Sequence, residues 1–297
     1  MEIDKYAAID IGSNAVRMLI TNVIKMEGSV FFRKNSLIRV PIRLGEDSFT
    51  SGEISKKNKN RLIDSIKAFK LLMEVHNVKN YLAYATSALR EATNCQKVVK
   101  EIKKESNINI ELIDGAKEAA IISNTNIFDQ VSIQKTFLYI DVGGGSTEFS
   151  VLRKGKRICS KSFKIGSVRL LNKHVSQKVW QSIEKWIKKN LKGYNKIYLL
   201  GTGGNINKLH KLAGLKEDKP ITYLILNALY EKLAAFTYEQ RIVKLGLNPD
   251  RSDVILPAME IYIKALLWSK SKVIYVPKMG LSDGMIREIA KKNGIIL

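Results

Sequence analysis

Two short segments of the sequence combine an aspartate with glycines and small polar side chains at the end of an apolar run. The first is residues 8–14 (AIDIGSN), and the second is residues 139–147 (YIDVGGGST). A strand that ends in such residues forms a tight turn whose backbone N–H groups remain accessible to phosphate oxygens. The aspartate at each strand end, Asp10 or Asp141, can hold a metal ion or a water beside that phosphate.

The spacing of the two segments indicates a repeat. Asp10 and Asp141 are 131 residues apart (141 − 10), which is close to one domain length and predicts a duplicated domain whose halves face each other. A third turn, residues 201–205 (GTGGN), ends a strand and opens a helix, as anion sites at helix N-termini do. One such turn alone is typical of an ordinary β-turn, but three of them favour phosphate binding.

Strand and helix patterns alternate along the whole chain, which predicts α/β layers. Apolar runs predict strands at residues 6–11, 81–85, 137–142, 197–200 and 273–276. Helical spacing predicts helices from about Ser55 onward and at residues 118–128, 206–212, 223–236, 254–267 and around 284–290. We place the boundary near residue 122, without a flexible linker, which gives domains 1–122 and 123–297.

The chain is strongly basic, with 50 Lys and Arg residues against 28 Asp and Glu residues. Residues 1–122 carry 20 basic and 15 acidic residues (+5), whereas residues 123–297 carry 30 and 13 (+17), giving +22 in all. Such an excess predicts attraction to polyanions such as nucleic acid, anionic lipid or polyphosphate. A solvated lysine-rich surface explains the composition equally well.

Several classes of protein are disfavoured by the sequence. Cys95 and Cys159 lie far apart without metal-ligand spacing, so neither a disulfide framework nor a structural zinc site is expected. The N-terminus lacks a signal-peptide pattern, and no apolar run reaches the length of a membrane span. We therefore expect a cytoplasmic protein without a membrane partner.

Residues 10–14 (DIGSN) and 141–148 (DVGGGSTE) together resemble the paired phosphate motifs of the superfamily of actin, sugar kinases and heat-shock chaperones. The closer resemblance, from residue 6 to about residue 290, is to the exopolyphosphatase/guanosine pentaphosphate phosphohydrolase family. Residues 85–92 (ATSALREA), 166–170 (GSVRL) and 251–257 (RSDVILP) also carry it. The resemblance implies an α/β fold of two ribonuclease H-like (actin-like) domains with a cleft between them.

Roles for individual residues follow from the same resemblance. Glu118 matches the catalytic base of family members, and Glu148 matches a second essential glutamate linked to metal and water. Arg90 matches an arginine that contacts phosphate in the cleft. The phosphate-binding positions that match are Ser13, Asn14 and Arg17 in the first loop and the strand after it, and Gly143, Gly144, Gly145 and Ser146 in the second loop. Gly203 and Gly204 are added as phosphate-binding candidates because their turn opens a helix, and not from the resemblance.

The sequence also departs from the family pattern. Lys117 stands where many members have a second acid, and Asp283 stands where a glutamate is usual. Neither change removes a catalytic group, although Lys117 alters the charge near Glu118. Long members append helical domains that help to hold extended polyphosphate, so the two-domain core leaves chain-length preference and processivity open.

The expected reaction is hydrolysis of the terminal phosphoanhydride of polyphosphate or guanosine pentaphosphate. Glu118 would orient the attacking water and accept its proton. Asp141 and Glu148, with Asp10 as a third candidate, would hold Mg²⁺ or Mn²⁺, because hard cations prefer carboxylate, water and phosphate oxygens. Domain closure would exclude bulk water.

Other functions remain open at the level of sequence. A small-molecule kinase would use the same fold with ATP, and a non-catalytic polyphosphate or alarmone sensor would keep the turns without hydrolysis. The net charge alone would suit a nucleic-acid-binding protein, but no recognised binding module supports specific nucleic-acid binding. The sequence leaves the oligomeric state open, with a homodimer as one option.

Overall fold

The structure is a computed structural model and describes residues 1–123, 125 and 135–295. Unit 1 comprises Met1–Thr125 together with Gly280–Leu297, and unit 2 comprises Asn126–Met279. The junction after Thr125 lies close to the boundary predicted near residue 122. The C-terminal segment, however, belongs to unit 1 and not to the second domain, where the sequence analysis placed it. The helix predicted at residues 118–128 is described up to residue 123, and apart from Thr125 its remainder lies outside the described residues.

The described residues contain strands and helices in alternation, as the sequence predicts. The strands are β1 (Glu2–Ile11), β2 (Val16–Met26), β3 (Ser29–Val40), β4 (Asn80–Ala85), β5 (Glu111–Leu112), β6 (Thr136–Val142), β7 (Thr147–Arg153), β8 (Lys156–Phe163), β9 (Ile197–Thr202), β10 (Ile221–Thr222) and β11 (Val273–Tyr275). The helices are α1 (Leu44–Thr50), α2 (Lys56–Val75), α3 (Ser87–Glu91), α4 (Cys95–Ser106), α5 (Gly115–Ser123), α6 (Ser167–Leu171), α7 (Gln177–Leu191), α8 (Gly204–Leu212), α9 (Tyr223–Ala234), α10 (Tyr238–Leu245), α11 (Pro249–Ser252), α12 (Ile255–Ser269) and α13 (Leu281–Lys292). Among the described helices, none has both the length and the apolar character that crossing a bilayer requires.

Unit 1 is built on a mixed sheet with the strand order β3-β2-β1-β4-β5. Strands β1, β2 and β3 are antiparallel neighbours, whereas β4 runs parallel to β1, and β5 runs parallel to β4. The central strand β1 is buried at every residue from Tyr6 to Ile11. A strand covered on both faces shows a continuous apolar run instead of alternation, and this explains its sequence.

Helix α2 shows how helical spacing produces its buried face. The side chain of Ser55 caps its N-terminus by accepting a hydrogen bond from the Asn58 N–H at 3.2 Å. Leu62, Ile66 and Phe69 recur at spacings of four and three, and all three are buried in the core of unit 1.

The C-terminal helix α13 contacts β1, β2, β4 and α5, all of which belong to unit 1. Its approach to α5 is so close that a Cβ atom on Gly284 would clash with the carbonyl group of Ile121. This contact joins residues far apart in sequence, which explains why sequence patterns assigned the helix to the second domain.

Unit 2 is built on a sheet with the strand order β10-β11-β9-β6-β7-β8. Strands β6, β7 and β8 are antiparallel neighbours, β9 runs parallel to β6, and β11 runs parallel to β9. Leu138, Ile140 and Val142 face a core that also contains apolar residues of α7, α8, α9 and α12. Asp141, between two of these core residues, points to the opposite face of the sheet.

The two sheets repeat one topology. In each, three consecutive strands form an antiparallel meander, and the fourth lies parallel to the first on its other side. Asp10 is the second-last residue of β1, and Asp141 is the second-last residue of β6. The duplication predicted from the two turns is thus confirmed at the level of topology.

Candidate functional site

The turn between β6 and β7, residues 143–146, is closed by a hydrogen bond from the Gly143 N–H to the Ser146 carbonyl at 3.0 Å. Within the described residues, the N–H groups of Gly144 and Gly145 meet no hydrogen-bond acceptor. Successive N–H groups in a tight turn form a concave site for anions. The turn therefore has the donors that phosphate binding requires.

The segment that begins at Gly166 supports this turn. A Cβ atom on Gly166 would clash with the Gly144 carbonyl, so only glycine allows the approach. The Ser167 N–H donates to the Gly143 carbonyl at 3.0 Å, and the Val168 N–H donates to the Gly144 carbonyl at 2.9 Å. These bonds hold the carbonyl groups of the turn toward α6, which leaves the N–H groups for a ligand.

Asp141 and Glu148 face each other across the β6–β7 ladder. Their carboxylate oxygens lie within 4.8 Å of each other, and Glu148 is only 1% exposed. The hydroxyls of Ser146 and Ser162 donate to Oε1 of Glu148 at 2.8 and 2.9 Å. Two carboxylates this close repel each other unless a cation or a proton compensates. This set of hard oxygen donors fits Mg²⁺ or Mn²⁺.

The third glycine turn lies directly beside Asp141. Gly203, between β9 and α8, has a φ of 110°, a value that side chains rarely tolerate. A Cβ atom there would lie 3.0 Å from the Val142 carbonyl oxygen and 3.2 Å from Oδ1 of Asp141. Helix α8 begins at Gly204, so its N-terminus is presented next to the carboxylate pair. Unit 2 thus brings together both of its predicted glycine turns and both of its predicted carboxylates.

The first turn, in unit 1, is built in the same way. The Gly12 N–H donates to the Ala15 carbonyl at 3.1 Å and closes the turn. The Gly45 N–H donates to the Ser13 carbonyl at 2.8 Å, and a Cβ atom on Gly45 would lie 3.1 Å from that of Ser13. Ser13 is buried and shares a hydrogen bond of 3.0 Å with the Ser87 hydroxyl. Gly45 therefore supports the first turn as Gly166 supports the second.

Asp10 and Arg17 face each other across the β1–β2 ladder and form an ion pair of 3.6 Å. Burial raises the pKa of Asp10, and the Arg17 guanidinium acts against that rise. Asp10 therefore has a cationic side chain as its partner, and its assignment as a metal ligand stays a prediction.

Arg90 and Glu118 lie in elements of unit 1 that are joined by one hydrogen bond. Nη1 of Arg90, in α3, donates to the carbonyl of Ile113. The next residue is Asp114. Its side chain accepts a hydrogen bond of 2.7 Å from the Lys117 N–H, and its backbone carbonyl accepts one of 2.9 Å from the Glu118 N–H. Glu118 lies in the first turn of α5 and is 9% exposed. Arg90 therefore anchors the backbone from which the Glu118 helix starts.

The two departures from the family pattern have partners within unit 1. The Lys117 side chain pairs with Glu111 and lies 4.8 Å from the centre of the Tyr84 ring. Asp283 caps α13 by accepting a 2.9 Å bond from the Gly280 N–H, and it pairs with Lys34 at 2.8 Å. Asp283 stands at position N3 of α13, and its carboxylate reaches back to the N-cap N–H as the N3 side chain of a capping box does.

Comparison with known proteins settles the family. The model of the Ppx/GppA phosphatase family matches residues 23–293. The chain belongs to this family. A bifunctional 3-dehydroquinate synthase/phosphatase of Fusobacterium nucleatum is 30% identical over 98% of the chain and 48% of that protein. A guanosine-5'-triphosphate,3'-diphosphate pyrophosphatase of Aeromonas hydrophila is 29% identical over 57% of the chain and 33% of that protein. The chain thus spans half or less of the length of either relative.

Among solved structures, an exopolyphosphatase of Cytophaga hutchinsonii superimposes with a TM-score of 0.83 over 99% of both chains, at 24% identity. This likeness establishes that the two proteins share the fold. The α/β fold of two actin-like domains, predicted from the resemblance of the motifs, is thereby confirmed.

Three residues of the site in this Ppx/GppA member were missed by the sequence analysis. Ser162 lies opposite Glu148 on β8, and the only signal for it was strand register. Arg169, buried in α6, donates from Nε to the Gly145 carbonyl at 2.8 Å. It lies inside the GSVRL segment, which the resemblance singled out without giving the arginine a role. Gly45 carried no signal beyond being a glycine.

Proposed function

We propose that this member of the Ppx/GppA family hydrolyses phosphoanhydride bonds and releases the terminal phosphate of inorganic polyphosphate or guanosine pentaphosphate. The observation that carries the proposal is the pairing of Asp141 with Glu148 directly beside the turn of residues 143–146. Glu148 is buried and Asp141 is half-buried. A carboxylate pair of this kind next to unengaged N–H donors can hold a cation and an anionic oxygen together, as phosphoryl transfer requires.

The first task of the site is to neutralise the phosphate oxygens that repel an incoming water. The N–H groups of Gly144, Gly145 and the α8 N-terminus supply donors from unit 2. Arg17 and Arg90 supply guanidinium groups from unit 1. A guanidinium has five N–H donors, and the bonds to Asp10 and to the Ile113 carbonyl occupy only some of them. Fixed donors of this kind stabilise developing charge without reorganising during the reaction.

The second task is to activate the water, and we assign it to Glu118. A carboxylate that is 9% exposed is shielded from bulk solvent and can accept a proton from a water held near it. In this assignment the base belongs to unit 1 and the carboxylate pair belongs to unit 2.

Asp141 and Glu148 would hold Mg²⁺ or Mn²⁺ through their carboxylate oxygens. When bound, the cation would offset negative charge on the phosphate oxygens. The hydroxyls of Ser146 and Ser162 fix the orientation of Glu148, since both donate to its Oε1.

The two substrate classes are supported by different comparisons. Sequence similarity links the chain to a protein named as a guanosine pentaphosphate pyrophosphatase, and the fold links it to one described as an exopolyphosphatase. Both substrates end in a phosphoanhydride, so the chemistry proposed for the site applies to either.

The decisive experiment measures phosphate release from tripolyphosphate, long-chain polyphosphate and guanosine pentaphosphate, side by side in the presence of Mg²⁺. We expect release from at least one of them, and loss of that release in a Glu118→Gln preparation, which controls for contaminating phosphatases. Phosphorylation of an alcohol by ATP without polyphosphate hydrolysis would instead identify a kinase. Tight binding of all three ligands without release would identify a sensor.

A further inference from the structure

Three consecutive carbonyl groups of the turn at residues 143–146 accept hydrogen bonds from α6. Backbone N–H groups of α6 donate to the carbonyls of Gly143 and Gly144 at 2.9–3.1 Å. The third carbonyl, that of Gly145, accepts instead from a side chain, since Nε of Arg169 donates to it at 2.8 Å. The last of the three bonds therefore depends on which residue occupies position 169.

A bond that holds a carbonyl group also fixes an N–H group, because the two point in opposite directions across a planar trans peptide unit. The described peptide bonds are all trans. Holding the carbonyls of Gly143 and Gly144 thus fixes the N–H groups of Gly144 and Gly145. Holding the Gly145 carbonyl fixes the N–H of Ser146, which has no backbone acceptor among the described residues. The direction of this third N–H group is set by Arg169.

The first turn, in unit 1, holds the corresponding carbonyl with a different donor. Asn14 and Gly145 each precede the residue whose carbonyl closes its turn, so they occupy equivalent positions. The Asn14 carbonyl accepts a hydrogen bond of 3.0 Å from the backbone N–H of Arg43. Both repeats therefore hold this carbonyl, unit 1 through a backbone donor and unit 2 through the Arg169 side chain.

The burial of Arg169 supports a specific role beside the turn. This residue is 9% exposed, whereas arginines lie mostly at the protein surface. Burying a guanidinium group costs free energy unless hydrogen bonds compensate. A hydrogen bond from a charged donor is also stronger than one between neutral groups, so the Arg169 bond is suited to holding a carbonyl in a fixed direction.

We propose that Arg169 is a positioning residue for phosphate binding, because its Nε holds the Gly145 carbonyl and so directs the Ser146 N–H toward the ligand. The N–H groups of Gly144, Gly145 and Ser146 then contact one phosphate group together. The inference rests on the proposed function for the assignment of this turn to phosphate. It adds that the third donor of the turn is set by a side chain.

Two substitutions separate the hydrogen bond from the charge. Arg169→Gln places an amide N–H donor at the position of Nε but removes the charge, whereas Arg169→Lys keeps the charge but has a methylene group there. The probe is methylenediphosphonate, a diphosphate analogue whose carbon bridge resists hydrolysis, titrated by calorimetry at one Mg²⁺ concentration. Its binding should weaken by about tenfold in Arg169→Lys and by less than about threefold in Arg169→Gln, since only the first variant loses the donor.

The opposite order of the two variants would mean that Arg169 acts through its charge. Equal weakening would mean that it acts through packing, and unchanged binding in both would remove it from the site. Each of these three results would overturn the proposal. The matched control is Lys173→Gln, which removes one charge from an exposed site four residues after Arg169. It should bind the probe like the unaltered protein, and a tenfold loss there would also contradict the proposal.

Hydrogen exchange of individual amides, followed by NMR, tests the direction of the N–H groups themselves. In the unaltered protein, methylenediphosphonate should slow exchange at Gly144, Gly145 and Ser146 together. In Arg169→Lys this protection should be lost at Ser146 and kept at the two glycines, because backbone donors still hold the other two carbonyls. Loss at all three amides would indicate a general structural effect. Protection of the glycines alone in the unaltered protein would defeat the proposal without any variant.

These measurements distinguish the inference from the proposed function. Absence of phosphate release by the unaltered protein, together with selective loss of binding in Arg169→Lys, would defeat the proposed hydrolase alone. Normal phosphate release by the unaltered protein, together with unchanged binding in Arg169→Lys, would defeat the positioning role alone.

Discussion

Arg17 occupies in the first sheet the position that Glu148 occupies in the second. Each lies seven residues after an aspartate at the end of the first strand and directly faces it across an antiparallel ladder. In unit 1 the result is the ion pair of Asp10 with Arg17, and in unit 2 it is a pair of carboxylates. The first pair is neutral by itself, whereas the second invites a cation. The two repeats thus differ in residue type at this position, Arg17 in one and Glu148 in the other, and only the second repeat presents two carboxylates that suit a metal ion.

Replacing the proposed base gives the first prediction. Glu118→Gln keeps the size of the side chain but removes its basicity, so phosphate release should slow by about 10²–10⁴-fold. The Michaelis constant should change little, because Gln preserves the packing of α5. Steady-state kinetics on polyphosphate measures both quantities.

The control is Glu74→Gln, which makes the same change at an exposed site at the end of α2. It should behave like the unaltered protein. A Glu118→Gln rate within about threefold of the unaltered rate would rule out the base assignment, because general-base loss costs far more.

The second prediction is that phosphate release depends on a metal ion, and substitution of Ser162 tests whether that ion is held by Glu148. An excess of chelator should abolish phosphate release, and Mg²⁺ or Mn²⁺ should restore it. Ser162→Ala removes one of the two hydroxyl donors to Oε1 of Glu148. It should raise the Mg²⁺ concentration for half-maximal activity by about tenfold, as loss of an outer-shell partner does.

Ser160→Ala is the matched control, since Ser160 lies two residues earlier on the same strand and is exposed. Its Mg²⁺ requirement should equal that of the unaltered protein. Full activity in excess chelator would show that no metal is needed, and identical Mg²⁺ titrations for the two variants would remove Ser162 from the site.

Packing between α13 and α5 gives the third prediction. Gly284→Ala places a methyl group against the Ile121 carbonyl, one turn beyond Glu118 on α5. The helix must shift, so the free energy of unfolding should fall by about 1–3 kcal/mol, and the rate of hydrolysis should fall with it. Chemical denaturation and kinetics measure the two effects.

Gly280→Ala, at the N-cap of the same helix, controls for the loss of a glycine, since a Cβ atom there meets nothing within 4 Å. It should cost less than about 1 kcal/mol, as a change at an N-cap does. Equal destabilisation by the two substitutions would mean that the contact of α13 with α5 is not tight.

The sequence predicted the parts of the fold that local patterns encode. The apolar runs that became β1 and β6 were visible because both strands are central and covered on two faces. The short helices α1 and α6 were missed, because neither has an apolar periodicity of its own. Each instead packs against a glycine turn, α1 through Gly45 and α6 through Gly166 at its N-terminus. The place of α13 in unit 1 depends on packing across more than 150 residues (284 − 121 = 163), which no local pattern contains.

The same distinction applies to the candidate site. Asp141 and Glu148 could be predicted because they lie on either side of a recognisable turn. Ser162 could not, because only its register opposite Glu148 on β8 places its hydroxyl beside that carboxylate. Arg90 was assigned to phosphate by resemblance, and its bond to the Ile113 carbonyl became visible only in three dimensions.

The last prediction concerns the basic surface of unit 2. Lys154, Lys156 and Arg157 are exposed at the tip of the β7–β8 hairpin, whose turn at Lys154 and Gly155 has positive φ angles. We expect this surface to help capture long polyphosphate. A long polyanion releases condensed counterions when it meets Lys and Arg, so its binding should weaken steeply between about 50 and about 200 mM salt.

A short substrate contacts only the glycine turns and their neighbours, where partly buried charges are screened less. The apparent affinity for long chains should therefore fall more with salt than that for tripolyphosphate. Substituting Gln at Lys154, Lys156 and Arg157 together should shrink this difference, whereas the same change at Lys100, Lys103 and Lys104 on α4 of unit 1 removes equal charge and should not. Equal salt slopes for long and short chains in the unaltered protein would show that the basic surface binds no polyphosphate, because counterion release scales with the number of phosphates contacted. The site would then recognise only the terminal phosphates, through the turns themselves.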